Sequence, residues 1–258
     1  MLVQAIPLFQ DAHLLRRNML EALSDYTFLF PEHQYQGYAD GILAGCELTT
    51  TKDTIILNEG ILLFEKKLYL LREPMIIAYH PTNNLTVLKL KFSDEMRDVN
   101  FIYREMELIL SEQEKPQKGE MEMCRFTLQE GARLRYEYQD FEDRDTIYDT
   151  LNRVYVPYAS IGRSTLSPDI TRSFAGEMLE INSITDFDAL FCMQILGQNQ
   201  PIGKEALKAY LKRKGIRELS DGTNHDIYMG LAKVLKKAAG EEQPEEVKQR
   251  KKWRVTVE

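Results

Sequence analysis

Apolar residues recur along the chain with two different periods, and the change from one to the other divides it. Near the start, a short apolar segment at residues 2–8 precedes Leu14, Leu15, Met19, Ala22 and Leu23, spaced by three and four. That spacing predicts an amphipathic helix, with Asp11 as its cap or first-turn anion and an end before Pro31. After the glycine-punctuated stretch GYADGILAG (residues 37–45), short runs of β-branched and aromatic residues take over. They predict strands at Leu43–Thr49, Thr54–Asn58, Ile61–Phe64, Leu68–Leu71, Met75–Tyr79, Leu85–Phe92, Asn100–Leu110 and Glu120–Leu128. Turn material such as Asn58-Glu59-Gly60 and Pro81-Thr82-Asn83-Asn84 separates them. Within 85–92, Val87, Lys89 and Lys91 alternate with Leu88, Leu90 and Phe92, the pattern of a half-buried strand. Residues 100–112 fit a helix as well as a strand on periodicity alone.

Beyond Gly131 the period becomes helical. Thr146–Asn152 is expected to form at most one short turn. Ser167-Pro168-Asp169 carries an N-cap, a first-position proline and an N-terminal anion, so a helix starts there, with Ile170, Phe174, Met178 and Ile181 on its inner face. Thr185 and Asp188 have capping-box spacing and open a helix that Gly197 ends, with Leu190, Phe191 and Ile195 inward. Two more helices are expected over about 203–214 and 226–239, closed by Gly215 and Gly240. The order of elements predicts an α+β fold: an N-terminal helix and a β-rich sandwich or barrel-like domain (1–136), an all-helical domain (137–240), and a charged tail (241–258) that should be mobile.

Composition narrows the class. The chain has 258 residues, 43% apolar and 28% charged, as an ordinary globular protein does. No apolar run approaches the ~18 residues that cross a bilayer, and the N-terminus does not read as a secretory signal, so a membrane is not an expected partner. Cys46, Cys124 and Cys192 are too few and too scattered for a disulfide framework or a zinc site, which points to buried thiols in a protein made in a cytoplasm. The net charge of -7 hides a polarity: residues 1–136 carry -5, residues 137–200 carry -7, and residues 201–258 carry +5.

Candidate chemistry is sparse. Neither a phosphate-binding loop nor a nucleophile elbow is present, and Gly37, Gly41 and Gly45 read as backbone punctuation. His13, His33, His80 and His225 lie on four separate segments without metal-ligand spacing. The acidic string Asp140, Glu142, Asp143, Asp145 and Asp149 lacks the central glycine and terminal glutamate of a calcium loop, so it reads as a solvated linker or helix entry. Lys204, Lys208, Lys212, Lys233, Lys236 and Lys237 fall on polar helix faces. Tyr210 and Tyr228 fit the core, and the gap from Gly215 to Asp226 is too long for a helix-turn-helix. The expectation is therefore no catalytic residue, no cofactor and no metal.

One stretch goes further. Asp40-Gly41-Ile42-Leu43-Ala44-Gly45-Cys46-Glu47-Leu48 followed by Asp53–Ile61 resembles a module of phage tail and baseplate structural proteins: D-G-hydrophobic-x-x-G, strand, turn, strand, x-x-G-hydrophobic. The segments Cys124–Arg135 and Val154–Pro168 are similar to prophage-encoded proteins of Gram-positive gut bacteria. The resemblance implies compact β-structure in which Gly41, Gly45 and Gly60 permit turns that side chains forbid. It also implies a structural subunit of a tail or baseplate, working by assembly and not as an enzyme. The implied partners are other tail subunits and further copies of this chain, and the destination after cytoplasmic synthesis is a virion or tail particle. The chain departs from the module at Glu65-Lys66-Lys67, where its members often carry a glycine. Two other readings stand beside this one: a nucleic-acid-associated or regulatory protein acting through residues 201–258, and an enzyme with a dispersed site, such as a carbohydrate-active β-domain.

Overall fold

The structure is a computed structural model that describes residues 6–11, 14–216 and 222–240. The expected tail at 241–258 lies outside these residues. The fold is α+β; the described residues form an N-terminal helical arm, eleven short strands, and four helices that follow them. The arm consists of α1 (Arg17–Ser24), a π-helical turn (Asp25–Leu29) and α2 (Phe30–Gln34). Helical backbone therefore runs through Pro31 instead of stopping before it. The proline sits in the first turn of α2, where its missing N–H costs little.

The strands form three antiparallel sheets and one small hairpin. β1 (Gly41–Gly45), β4 (Gly60–Phe64) and β5 (Lys67–Leu71) make the first, in the order β1-β4-β5. β2 (Leu48–Thr50), β3 (Thr54–Leu57) and β6 (Met75–Ala78) make the second, in the order β2-β3-β6. In the third, β7 (Leu85–Phe92) lies between β10 (Met106–Ser111) and β11 (Glu120–Thr127). β8 (Met96–Arg97) and β9 (Ile102–Tyr103) pair as the hairpin. The ambiguous stretch 100–112 is thus extended. One apolar core joins Ile42, Ile55, Leu62, Leu88, Met123 and Phe126.

β7 is not half-buried. As the central strand it is covered on both faces, and Val87 and Lys89 are as inaccessible as Leu88 and Leu90. The Lys89 ammonium is held by Glu120 at 3.1 Å and by the Lys115 carbonyl at 3.3 Å. A buried charge persists only when it is paired in this way.

Residues 131–166, expected to be helical, are largely an irregular ribbon. A single 3-10 turn, Glu142–Asp145, interrupts them. Thr146–Asn152 runs extended beside the outer edge of β11: Arg125 N donates to Asn152 O at 2.9 Å and Asn152 N returns a bond at 2.8 Å. An unpaired strand edge is thereby covered. The ribbon then turns against β1, where Ile42 N donates to Pro157 O at 2.9 Å.

The helices α3 (Pro168–Glu180), α4 (Asp186–Leu196), α5 (Lys204–Arg213) and α6 (Asn224–Ala239) enclose a second core. Their starts follow the cap chemistry. The Ser167 hydroxyl accepts from Asp169 N, and Thr185 with Asp188 forms a complete capping box. A second box, Thr223 with Asp226, starts α6 earlier than its periodicity suggests, and Gly240 ends it in the left-handed region. Of the residues expected inward on α4, Phe191 and Ile195 are buried, whereas Leu190 is 67% exposed.

The two cores share the ribbon. Leu151, Val156 and Tyr158 pack into the β core, while Phe141, Val154 and Leu166 pack with the helices. Asn224, at the start of α6, donates to Val156 O at 3.0 Å and to Thr165 O at 2.9 Å, binding helix to ribbon.

Candidate functional site: turn motif, clefts and uncovered apolar faces

The glycine motif folds as a tight seam. β1 bulges at Leu43 and ends on Gly45 (φ 64°) and Cys46 (φ 58°), two successive left-handed residues. A Cβ on Gly45 would collide with the Glu59 carbonyl oxygen. Gly60 lies opposite Gly45 in the sheet, and its φ is not positive. What it supplies is space, because a Cβ there would meet the Cys46 sulfur, and Cys46 N at 2.5 Å. Gly41 answers a different neighbour: its Cβ would lie 2.6 Å from Ala159 N, where the ribbon crosses β1. The three glycines thus let three pieces of backbone approach one another.

Beside this seam, Arg153 is buried and engaged through both terminal nitrogens, while its Nε has no hydrogen-bond partner. It donates to Glu47 Oε2 at 2.7 Å, to the Tyr158 hydroxyl at 2.8 Å and to Cys46 O at 3.3 Å. The glutamate and cysteine of the motif therefore hold the ribbon in place. Cys46, Cys124 and Cys192 are all buried and free, and burial pushes the Cys46 thiol up to about 12. Thiols so placed are packing groups and not nucleophiles.

A broad open cleft of about 550 Å³ lies between β11, the 114–116 loop, the ribbon and the starts of α5 and α6. Asp40, Glu114, Glu120 and Glu122 line it together with Arg125 and Lys204. Two of these carboxylates are already engaged, Glu120 by Lys89 and Glu122 by Arg125 at 2.7 and 2.8 Å. Arg125 also covers the Tyr155 ring, 3.5 Å from its centroid, and Tyr155 stacks on His225 at 5.1 Å. His13 lies outside the described residues; His225 has its Nε2 3.1 Å from Asp145 Oδ2, and that hydrogen bond raises its pKa above the ordinary value.

The acidic string is a set of tethers. Asp143 takes two bonds from Arg135, Asp145 bonds Asn152 and faces His225, and Glu142 pairs with Lys236 at 2.8 Å. Among the described residues no cluster of histidine, cysteine and carboxylate groups is arranged to hold a metal. On the basic helices, Lys212, Lys233, Lys236 and Lys237 are exposed and Lys204 and Lys208 half-buried. Burial, and then the neighbouring Lys208 and Arg163, lower the Lys204 pKa from its ordinary value. Tyr210 and Tyr228 are buried, so neither offers a stacking face.

The most distinctive surface is apolar. No residue of the 17–34 arm is buried, although Leu20, Leu23, Tyr26, Phe28, Leu29 and Phe30 all belong to it. The β8–β9 hairpin exposes Met96, Val99, Phe101 and Ile102. Arg104 gathers these elements: it donates to Glu32 of the arm at 2.9 Å, to Leu68 O of β5 at 3.2 Å and to Glu95 at the foot of the hairpin at 3.3 Å. A second exposed stripe runs down α4 through Phe187, Leu190, Met193 and Leu196. Monomeric proteins seldom expose apolar side chains in such groups, and a helix apolar all round is normally covered. Periodicity could assign one face of α4 to the core, but nothing in the sequence marked the other face as open.

Among the described residues no helix is long and apolar enough to cross a membrane. No family model and no curated protein matches the chain in sequence. Among solved structures it is similar to a crystal structure of TssK, with a TM-score of 0.41 and 10% identity over 92% of this chain and 69% of that one. It is also similar to a chain of the TssK-TssF-TssG baseplate subcomplex of the type VI secretion system (TM-score 0.40, 10% identity, 90% and 99% covered). A chain of the baseplate complex from the type VI secretion system gives 0.29 at 9% identity, with 91% and 100% covered. At these scores the similarity does not establish a shared fold.

Proposed function

We propose that the chain is a structural subunit of a phage tail or phage-derived baseplate, acting by protein–protein assembly. The observation that carries this reading is the exposed apolar surface, set on an arm, a hairpin and one helix of an otherwise well-packed molecule. Such surfaces are stable in solution only when a partner covers them. The resemblance of residues 40–61 to the tail and baseplate module supports the same reading, and the distant baseplate similarities are not needed for it. Other subunits of the particle, and further copies of this chain, would be the partners. The burial of the cysteines and the ion pairing of Glu120 and Glu122 favour packing over catalysis at those positions.

Mass spectrometry and immunogold microscopy of purified tail-like particles from the source cells test the proposal. The chain should be found in stoichiometric amount at the baseplate end of the particle. Particles assembled without it would overturn the reading.

A further inference from the structure

We propose that a small cavity between the ribbon and the start of α3 binds a monatomic anion of the chloride class, held by the Nε–H groups of Arg144 and Arg153. Such a site needs no partner subunit and stands apart from the assembly reading.

The cavity measures about 10 Å³ and is lined by Tyr138, Arg144, Arg153, Ser167, Asp169 and Ile170. That volume admits about one water-sized sphere. Among the described residues, four buried side-chain polar atoms have no hydrogen-bond partner. Two of them, Arg144 Nε and Arg153 Nε, belong to this one lining. A buried donor without an acceptor is costly, and more so on a cation. Arg153 cannot turn away to find one. Its side chain is nine-tenths buried, and its terminal nitrogens are fixed by Glu47, the Tyr158 hydroxyl and the Cys46 carbonyl. Arg144 lies over the Tyr138 ring, 4.5 Å from its centroid, and forms no ion pair among the described residues.

The charges select the acceptor. Two guanidinium groups line the cavity, and the one carboxylate in ion-pair contact with them, Glu47, answers Arg153 alone. The first turn of α3, a helix of 13 residues, adds the positive end of its dipole through Ser167 and Ile170. A water molecule would satisfy the two N–H groups and leave the Arg144 charge uncompensated, whereas an anion does both. Sulfate, phosphate and a partner's carboxylate are each too large for a space of one sphere. Asp169 opposes the anion, but it is exposed, so solvent screens it. An anion there would join two ribbon residues to the first turn of α3, and its binding should stabilise the folded chain.

Urea denaturation of the full chain tests the site, with sodium chloride replacing sodium gluconate at constant sodium concentration. The midpoint should rise by roughly 0.5 M and then level off as the site fills. The net charge of -7 disfavours anions elsewhere on the chain, so a saturable rise reports a built site. Arg144→Gln should fold and lose the rise. Arg172→Gln removes the same charge and another unpartnered Nε, one that does not line the cavity, and should keep the rise. Asp169→Asn should lower the chloride concentration of half-saturation severalfold. Crystals soaked in bromide should show an anomalous peak within hydrogen-bond distance of both Nε atoms. Equal midpoints in chloride and gluconate, a rise that survives Arg144→Gln, a rise lost equally in Arg172→Gln, or bromide found only at the protein surface would each overturn the site.

Discussion

Gly60 and Asp188 show how single residues set the stability of this molecule by opposite means. Gly60 contributes the absence of a side chain. A methyl group there would be driven into the Cys46 sulfur and backbone nitrogen, and Cys46 is fully buried and cannot retreat. Gly60→Ala should therefore destabilise the chain by about 2–4 kcal/mol, read as a lowered urea midpoint with unchanged slope. Asp188 contributes a buried carboxylate with both oxygens engaged. Burial alone would raise its pKa, but Lys214 at 2.8 Å, the Thr185 hydroxyl at 2.7 Å and the Tyr210 hydroxyl at 2.7 Å outweigh that and hold it below the ordinary value. A depressed carboxylate stabilises the fold above its unfolded pKa, and that stability is lost as the pH falls through the folded one. Asp188→Asn should cost about 2 kcal/mol at pH 7, since Lys214 keeps partial access to water. The variant should also lose less stability than the wild type between pH 5 and pH 3, as followed by urea denaturation at each pH. The sequence showed Asp188 as a cap; its second role, anchoring α5 through Tyr210 and Lys214, depends on contacts more than twenty residues away.

At the scale of elements, the β4–β5 hairpin shows a local rule broken in the sequence and paid for in the backbone. Phe64 pairs with Lys67, so Glu65-Lys66 is a two-residue loop, and both residues are left-handed, with φ of 47° and 63°. That is the geometry for which Asn-Gly is preferred. Lys66→Gly should stabilise the chain by about 0.5–1 kcal/mol, seen as a raised thermal midpoint, by relieving the left-handed strain. Elements with local signals were legible at the Ser167 and Thr185 caps and the glycine stops. The run expected as one strand at Leu43–Thr49, however, is broken at Gly45 and Cys46 into β1 and β2 of different sheets, and Asn100–Leu110 is divided between β9 and β10. The ribbon at 131–166 was not legible. Its apolar residues are spaced by its two neighbouring cores, with Leu151, Val156 and Tyr158 facing one and Val154 and Leu166 the other, and that spacing imitates a helical period. The double burial of β7 was hidden for a related reason: the partner that allows Lys89 inside is Glu120, on a strand 31 residues away.

For the whole molecule, the shared ribbon has a consequence for cooperativity. A division of the chain after residue 136 would remove Leu151, Val156 and Tyr158 from the β core, and with them the backbone bonds that cover β11 and the neighbour for which Gly41 makes room. It would also remove Arg153, leaving Glu47 and the Cys46 carbonyl without their donor. Burying each large apolar side chain is worth about 1.5–3 kcal/mol, and three such losses approach the whole stability of a typical domain. The fragment 1–136 should therefore show no cooperative urea transition, whereas the full chain should unfold in one transition that coincides by far-ultraviolet circular dichroism and tyrosine fluorescence. Two separate transitions in the full chain would show that the cores are held independently and that Asn224, Arg153 and the ribbon do not couple them. Under the assembly role proposed above, a single unit of this kind would transmit position from one face to another. The apolar arm and hairpin lie on the β part and the apolar stripe of α4 on the helical part, so a partner docked at one is held at a fixed place relative to a partner docked at the other.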